Sequence, residues 1–457
     1  MSASQSVRST PVRNPDVGSQ SEMTKRGWWL IGMNLLIPGS AQSLAGSHRL
    51  GRFGLGSTLV VWALAVVTAV LWVFSRGTVY TAMTNPVLLT VGQVVLVFYA
   101  VLWIILTLDT LRLTRLVKTG PAARGLIAGF AIIALIATAG TSAYGAYIAG
   151  VTRSTILPIF SSDRGNAAPV NGRYNVLLLG GDAGPDRLGL RPDSISVASI
   201  NAATGATTLI GIPRNMQRVP FASGSPLYGP YPNGYNCGDN CLISFLYTYA
   251  QAHPNLYPNA TKHHSSPGVE ATKDAVEGVL GIKIQYYALI DMAGFSDMVN
   301  ALGGVTINVT ERLPINGGQA ADGTPINVQG WINPGVQHMD GYTALWYARS
   351  RHSTSDYDRM ARQRQLEGAI LAQFTPALVL SKFQSVASAG KQIVKTDIPQ
   401  SMLGEFVTLA DKARAQKLSQ LELVPPTVNE IEPNFAQIRA LVTQALATPT
   451  ATPTPSQ

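Results

Sequence analysis

The sequence lacks the short motifs that mark several common classes of protein. It contains no P-loop of the form G-x-x-x-x-G-K-S/T and no Gly-x-Ser-x-Gly elbow, which argues against P-loop nucleotide binding and serine hydrolysis. Helix-turn-helix and zinc-finger spacings are also missing. The formal net charge of +9 therefore does not predict a nucleic-acid partner, because anionic lipid headgroups explain the basic residues that flank apolar segments.

Cysteine is scarce, and the only two, Cys237 and Cys241, lie four residues apart in a glycine-containing loop. Two cysteines without a neighbouring histidine supply too few ligands for a zinc site. We expect a local disulfide, with two free thiols as the alternative, in a part of the chain outside the cytoplasm. We assign this pair a structural role.

Long apolar runs, by contrast, are present, and apolar residues make up 46% of the 457 residues. A mean hydropathy of +0.16 is high for a wholly soluble protein. Three runs approach the roughly 20 residues needed to cross the hydrocarbon of a bilayer: 53–74, 86–108 and 125–148. The stretch Gly27–Gly46 is interrupted by Asn34, Pro38 and Gln42, so we predict a re-entrant or interfacial element there.

Basic residues flank the three runs asymmetrically. Those before the first run and those between the second and third are Lys25, Arg26, Arg49, Arg52, Arg112, Arg115, Lys118 and Arg124. Because lysine and arginine are enriched in cytoplasmic segments, three spans place the chain from about Val151 onward outside the cytoplasm. No cleavable signal pattern precedes the spans, so we expect a multi-pass membrane protein.

Composition and periodicity divide the chain into six segments. We predict a disordered cytoplasmic tail, a membrane region, a polar linker, an outer α/β domain, a C-terminal helical extension and a Thr/Pro-rich tail. In that order their bounds are 1–24, 25–150, 151–173, 174–375, 376–446 and 447–457.

Strands alternate with helices in the predicted outer domain, as an α/β fold requires. The continuous apolar run Asn175–Leu179 indicates a buried strand, and Ser194–Ile200 with Thr208–Ile212 indicates a hairpin. Helices are predicted at 268–280, 292–302, 403–415 and 435–446, a strand at 305–309 and a glycine-rich surface loop at 317–335.

Arginine without lysine is concentrated in one short segment. The sixteen residues from Arg349 to Arg364 include five arginines, whose planar guanidinium groups match phosphate oxygens. Alternation over Leu345–Arg351 predicts a strand with Arg349 and Arg351 on one face. A helix capped by Ser355 or Asp356 would continue to Leu371 and carry Arg359 and Gln363 one turn apart. The alternative is a solvated basic helix face.

Two aspartates and two further arginines lie at predicted strand ends. Asp182 follows the first buried strand, Asp193 opens the next one directly after Arg191 and Pro192, and Arg214 follows the third. Ligands of α/β proteins commonly meet such strand ends. Two carboxylates there can share one hard divalent cation that takes its other ligands from water and phosphate. Ordinary turn aspartates remain the alternative.

These motifs together resemble the LytR-CpsA-Psr family. The resemblance covers roughly Tyr174 to Phe374 and is carried by six segments in order: Asn175–Asp182, Arg191–Ser194, Ile212–Asn215, Gly303–Val309, Asp340–Arg351 and Asp356–Gln363. An ordered set is far more specific than any one motif. The resemblance implies a central mixed β-sheet flanked by helices around an apolar lipid tunnel.

The same resemblance implies an activity. Members move a glycopolymer from a polyprenyl-pyrophosphate carrier to peptidoglycan as a phosphodiester, outside the plasma membrane of a bacterium. It implies a magnesium site, or a manganese site, at Asp182 and Asp193. It also implies a pyrophosphate grip from Arg191, Arg214, Arg349, Arg351, Arg359 and Gln363, with catalytic roles for Arg191, Arg214 and Asp193. Arg362 and Arg364 are expected in supporting or surface positions.

Two departures from the family pattern limit how far the roles of family residues apply to this sequence. The family's usual Pro-Arg-Asp is Pro-Arg-Asn215 here, and Gly181 and Ala183 flank Asp182 where the family often has polar residues, so the general base stays unassigned. The stretch after Pro213 and the cysteine loop look like actinomycete-type members. A polyprenyl-pyrophosphate hydrolase and a membrane regulator of wall gene expression are the alternative functions.

Overall fold

A computed structural model describes most of the chain. The described residues are 12–156, 159–160, 165–182, 191–320, 324–350, 355–373 and 394–447, together with 375, 378, 382 and 385. The chain divides into two compact units, Met1–Arg153 and Ser154–Gln457.

Helices form the first unit. Their bounds are α1 (Gln20–Leu36), α2 (Ser40–Ala45), α3 (His48–Phe74), α4 (Arg76–Thr84), α5 (Pro86–Thr114) and α6 (Pro121–Val151). Among the described residues, three helical segments are long and apolar enough to cross a membrane: His48–Phe74, Pro86–Lys118 and Pro121–Ser154. They contain the three predicted spans.

The interrupted stretch before these helices breaks between α1 and α2. Pro38 lies at the break and disfavours helical backbone in the residue before it. Gly39 follows with a φ of 94°, and a Cβ atom there would lie 2.4 Å from the backbone nitrogen of Leu55. Only glycine fits so close an approach of α2 to α3. This stretch is not among the candidate spans, as the sequence predicts.

A six-stranded mixed sheet forms the centre of the second unit. Its strands are β1 (Arg173–Asp182), β2 (Arg191–Asn201), β3 (Thr207–Ile212), β4 (Tyr286–Asp291), β11 (Val394–Thr396) and β12 (Ser419–Glu422). Their spatial order is β11-β4-β1-β2-β3-β12, with β1 parallel to β4, β3 parallel to β12 and the other pairs antiparallel. The predicted buried strand and hairpin are therefore confirmed, as is the fold class.

Smaller strands lie outside the central sheet. They are β5 (Val305–Val309), β6 (Leu313–Ile315), β7 (Gly318–Gln319), β8 (Pro325–Ile326), β9 (Gly330–Ile332) and β10 (Gly335–Met339). They pair antiparallel as β5 with β10, β6 with β9 and β7 with β8. The predicted loop at 317–335 thus contains short paired strands.

Helices cover both faces of the central sheet. Among the described residues of the second unit, the α-helices with defined bounds are α7 (Phe245–Ala252), α8 (Pro267–Leu280), α9 (Met292–Leu302), α10 (Gly341–Arg349), α11 (Asp356–Gln373), α12 (Leu403–Arg414) and α13 (Phe435–Leu446). One core joins the face of Leu177, Val197 and Ile210 to α7, α8 and α13. The opposite face contacts α12 through Tyr174 and Leu409, and a further core lies among α9, α10, α11, β5 and β10.

The structure corrects one strand prediction. Leu345–Arg351 was predicted as a strand, but residues up to Arg349 belong to α10, and Arg351 lies outside the described residues. The side chain of Asp340 caps this helix by accepting the backbone N–H of Thr343 at 2.8 Å. Gly341, Ala344 and Tyr347 are buried, which is the spacing of one helical face. A period of two over only seven residues is too short to exclude this helical spacing.

The segment 376–446 also differs from its predicted helical character. It contributes two strands, β11 and β12, at the two edges of the central sheet, besides the two helices predicted from the sequence. Three-residue and four-residue strands leave little periodic signal in a sequence. Val394–Thr396 and Ser419–Glu422 of this segment are therefore part of the sheet.

A buried ion pair holds the end of β11 against α8. Lys273 Nζ lies 3.7 Å from Asp397 Oδ2, and both side chains are almost inaccessible to solvent. The other carboxylate oxygen of Asp397 accepts the backbone N–H of Tyr287 in β4 at 2.8 Å. One carboxylate thus compensates a buried cation and a buried amide from two elements.

We expect Asp397→Ala to destabilise the second unit by about 3 kcal/mol, because removal of one partner of a buried ion pair leaves charge uncompensated. The matched control is Glu432→Gln, which breaks the exposed ion pair with Arg218 and should cost about 0.5 kcal/mol or less. Amide hydrogen exchange of Tyr286–Asp291, measured on the full chain in detergent, reports the loss. Equal exchange rates in Asp397→Ala and Glu432→Gln would contradict this prediction.

Candidate anion-binding site

The site begins where β1 and β2 end together. Asp182, the last residue of β1, lies opposite Arg191, the first residue of β2. The pairing shifts between Gly180 and Gly181, so that Asp193 is an extra residue in β2 between the partners of these glycines. Such bulges re-aim a side chain and are frequent beside active sites. Both predicted metal ligands and Arg191 therefore meet at one end of the sheet.

Arg214 lies just beyond the end of β3, next to this bulge. Its Nη1 donates a hydrogen bond to Asp193 Oδ1, and its Nε lies 3.7 Å from Asp356 Oδ2. The side chains of Arg214 and Asp193 are 20% and 16% exposed, so the pair remains within reach of a ligand. The structure thus brings two of the predicted catalytic residues into direct contact.

Asp356 connects the strand ends to α11. Its Oδ1 lies 3.3 Å from Arg359 Nη1, and its Oδ2 accepts a hydrogen bond of 3.5 Å from the amide of Asn215. Sequence reasoning treated Asp356 only as a possible helix cap, although its i,i+3 spacing to Arg359 was a signal of this ion pair. Ser355 provides the cap instead, by accepting the N–H of Asp358.

The amide of Asn215, which replaces the family's usual aspartate, lies beside Asp356. Because Asn215 donates to Asp356, an aspartate at position 215 would bring two carboxylates within about 3.5 Å of each other. Such like charges repel, and one would have to bind a proton or a cation. Asparagine at 215 avoids this repulsion beside Asp356.

The remaining predicted ligands lie along α11 and the end of α10. Arg359 is 2% exposed and Gln363 is 8% exposed, so α11 does not present a solvated basic face. Gln363 Nε2 donates to the carbonyl of Ala348 at 3.3 Å, beside Arg349. Gln363 Oε1 is buried and has no hydrogen-bond partner within the described part of the chain. A ligand that donates a hydrogen bond would satisfy it.

Arg349 is half-buried at the C-terminal end of α10, with its Cζ 5.3 Å from the ring centroid of Trp346. Arg362 donates to the carbonyls of Tyr347 and Ser350, which fixes the end of α10 against α11. Arg362 therefore has the supporting role that was expected. Arg351 lies outside the described residues, and only the backbone of Asp182 and Arg191 is described.

Arg364 is fully buried and lies among two carboxylates that sequence reasoning missed. Its Nη1 donates to both oxygens of Glu367, at 2.8 and 2.7 Å, and its Nη2 donates to Ser194 Oγ at 2.9 Å. Its Nε lies 3.8 Å from Glu422 Oε1. Arg364 thus supports the residue next to Asp193, which is the supporting one of the two positions expected for it.

Glu422 occupies an unusual environment for a carboxylate. Both of its oxygens are buried and lack a hydrogen-bond donor among the residues that the structure describes. Burial raises its pKa from 4.5 to about 7; the nearby Arg364 lowers this pKa and Glu367 raises it further. Burial likewise raises the pKa of Glu367. A Cβ atom on Gly211 would lie 2.1 Å from Glu422 Oε2, so a larger residue at 211 would displace this carboxyl group.

The donor set at the strand ends fits a hard divalent cation. Asp182 and Asp193 come from paired strands, and magnesium takes carboxylate oxygens together with water and phosphate. Within the described residues no group of three or more His, Cys, Asp or Glu side chains could hold a metal. Asp182 and Asp193 are the residues of this end of the sheet that would hold such an ion, with water and phosphate as its other ligands.

The cysteine pair lies in a loop between β3 and α7. Cys237 and Cys241 form a disulfide, as the sequence predicts. Beside it, Gln217 donates a hydrogen bond to Asp239 at 2.9 Å, and the N–H of Ile243 donates to the carbonyl of Met216, two residues after Arg214. The disulfide loop is thus joined to the segment that carries Arg214.

An α/β domain with an arginine-rich site at the strand ends agrees with the comparison to protein families. The LytR_cpsA_psr family model matches residues 157–438, which is more than half of the chain. The chain belongs to the LytR-CpsA-Psr family.

Two relatives and one solved structure share between 22% and 27% sequence identity with this chain. The polyisoprenyl-teichoic acid–peptidoglycan teichoic acid transferase TagU of Bacillus mycoides is 27% identical over 231 residues, which cover 50% of this chain and 62% of that protein. TagU of Halalkalibacterium halodurans is 25% identical over 318 residues, covering 67% and 88%. The crystal structure of Bacillus subtilis TagV superposes with a TM-score of 0.43 at 22% identity, covering 60% and 97%.

We expect the stability of the second unit to fall as pH rises from about 4.5 to about 7. A carboxyl group whose folded-state pKa lies above its unfolded value binds a proton more tightly when folded, so deprotonation favours unfolding. Glu422 contributes up to about 3 kcal/mol to this loss. Glu422→Gln should flatten the profile, measured by denaturant unfolding at pH 5 and 8. Glu432→Gln is the exposed control, and an identical profile in the two variants would overturn the assignment.

Proposed function

We propose that the second unit is a phosphotransferase that moves a glycopolymer from a polyprenyl-pyrophosphate carrier to peptidoglycan. One observation carries this proposal: the continuous ion network of Asp193, Arg214, Asp356 and Arg359 at the end of the sheet. The names of the two TagU relatives, which are teichoic acid transferases, support the same class of reaction.

The network suits a pyrophosphate diester, which carries two negative charges. Arg214 bridges Asp193 and Asp356, so its guanidinium group is oriented before a substrate binds. Displacement at phosphorus places additional charge on the leaving phosphate, and preoriented donors stabilise this charge without reorganisation. We assign Arg214 to this role, together with Arg191, Arg349, Arg351, Arg359 and Gln363 as further pyrophosphate ligands.

Asp182 and Asp193 would hold magnesium, or manganese, at the paired strand ends. The ion would neutralise charge on the pyrophosphate and polarise a phosphoryl oxygen. Asp193 also accepts from Arg214, so this aspartate would fix the distance between the metal and the arginine.

The lipid part of the carrier requires an apolar surface near the phosphates. Leu178 in β1 and Ala288 and Ile290 in β4 share one face of the sheet and are half-buried, whereas Leu177, Leu179, Tyr287 and Leu289 on the opposite face are buried. We assign the half-buried face to the polyprenyl chain. It runs toward Gly181 and hence toward the strand end of Asp182.

The location of the reaction follows from the spans. We assign the first unit to the plasma membrane of a bacterium as a multi-pass anchor, with the second unit outside the cytoplasm. The distribution of basic residues supports this orientation. A disulfide at Cys237 and Cys241 agrees with an oxidising compartment.

We expect Arg214→Gln to lower the transfer rate by about 100-fold or more, because loss of one preoriented donor at the developing charge costs this much. The matched control is Arg218→Gln, four residues later, whose exposed ion pair with Glu432 lies outside the network, and its rate should stay within about twofold. The assay follows release of polyprenyl phosphate from a pyrophosphate-linked glycan with a peptidoglycan acceptor. Release at the same rate without the acceptor would identify a hydrolase instead.

Removal of the metal ligands provides a separate test. We expect the double variant Asp182→Asn/Asp193→Asn to lose both turnover and its response to added magnesium, because amides do not provide the charge that holds the ion. Chelation of the unaltered protein should reproduce the loss, and added magnesium or manganese should reverse it. Turnover that survives in the double variant would exclude the metal role.

A further inference from the structure

A row of aromatic and polar side chains leads away from Arg349 along α10. Tyr342, Trp346 and Arg349 are spaced i, i+4 and i+7, so they lie on one helical face. The rings of Tyr342 and Trp346 meet edge to face with centroids 6.4 Å apart, and the Arg349 guanidinium lies over Trp346. This row connects a candidate pyrophosphate ligand to an exposed tyrosine.

The row continues onto the hairpin of β6 and β9. The hydroxyl of Tyr342 donates to Gln329 Oε1 at 2.9 Å, and the backbone N–H of Gln329 donates to the carbonyl of Ile315 in β6. Two residues later Trp331 pairs with Pro314, and the guanidinium of Arg312 lies 4.1 Å from its ring centroid. Tyr342 is 44% exposed and Trp331 is 39% exposed, although both are large aromatic residues.

We propose that this surface, formed by Arg312, Gln329, Trp331, Tyr342 and Trp346, binds the sugar residues that adjoin the pyrophosphate of the donor. A sugar ring has an apolar C–H face and a rim of hydroxyl groups, so it needs an aromatic face beside amide and guanidinium donors. Tyrosine and tryptophan combine a large apolar body with a polar tip. The inference rests on the proposed function, since it takes Arg349 as a pyrophosphate ligand.

Geometry and charge favour the donor glycan over other occupants. Tyr342 lies seven residues before Arg349, or about 10 Å along the helix, which is about the length of a disaccharide. Arg312 and Arg349 lie at the two ends of the row, which suits an anionic polymer. A lipid chain would be better served by an apolar surface without these donors.

The test measures binding to the full chain in detergent with two probes, a polyprenyl pyrophosphate that carries a disaccharide and the same lipid without sugar. We expect Tyr342→Ala to weaken binding of the glycosylated probe about 10-fold and to leave the sugar-free probe unchanged. Tyr342→Phe, which keeps the ring but releases Gln329, should weaken it about 3-fold. Val336→Ala, at an exposed apolar residue in β10 outside the row, is the matched control and should have no effect.

Equal weakening of both probes by Tyr342→Ala, or no weakening beyond that of Val336→Ala, would overturn the sugar subsite while leaving the proposed function intact. If Tyr342→Ala bound the donor normally but lost acceptor-dependent turnover, the surface would be assigned to peptidoglycan. This outcome would also overturn the sugar subsite for the donor. If the unaltered protein bound neither probe, the proposed function itself would fail, and the subsite with it.

Discussion

Charge compensation at the end of the central sheet is the constraint on which the site depends. Asp193, Arg214, Asp356 and Arg359 come from β2, the turn after β3 and the start of α11, and each cation in this network lies against a carboxylate. Arg359 is almost wholly buried, and a charge in that position is tolerated only when it is paired. The carboxylates therefore keep arginines oriented toward one place, where an anion can bind between them.

Two further arginines beside this network also have their charge or N–H groups satisfied by polar partners. Arg362 binds the carbonyls at the end of α10, and Arg364 binds Ser194 together with Glu367. The site thus combines arginines within reach of a ligand and arginines that hold the backbone. Buried polar networks of this kind rigidify a site when their members are satisfied. Glu422 is the exception: it gains no hydrogen-bond donor among the described residues, and burial raises its pKa to about 7.

The two faces of the central sheet differ in how completely helices cover them. One face is sealed by α7, α8 and α13 and provides the stable core. The other includes half-buried apolar residues beside β4 and meets α12 and the second core that carries α10 and α11. A glycopolymer transferase must bind a lipid, a pyrophosphate and a glycan at once. In the function proposed above, the half-buried face would take the lipid, the strand ends the pyrophosphate and the aromatic row on α10 the glycan.

The sequence by itself determined the apolar helices, the α/β class, the hairpin of β2 and β3 and the helix from Asp356, because these follow from hydrophobic period, turn residues and ordered motifs. Only the tertiary structure decided that α10 is a helix, that β11 and β12 join the sheet, that Asp356 reaches Arg214 and that Glu422 reaches Arg364. These features depend on which residues from distant segments come into contact. Spacing along one helix signals pairs such as Asp356 with Arg359, whereas contacts between distant segments follow from packing and charge compensation in the folded chain.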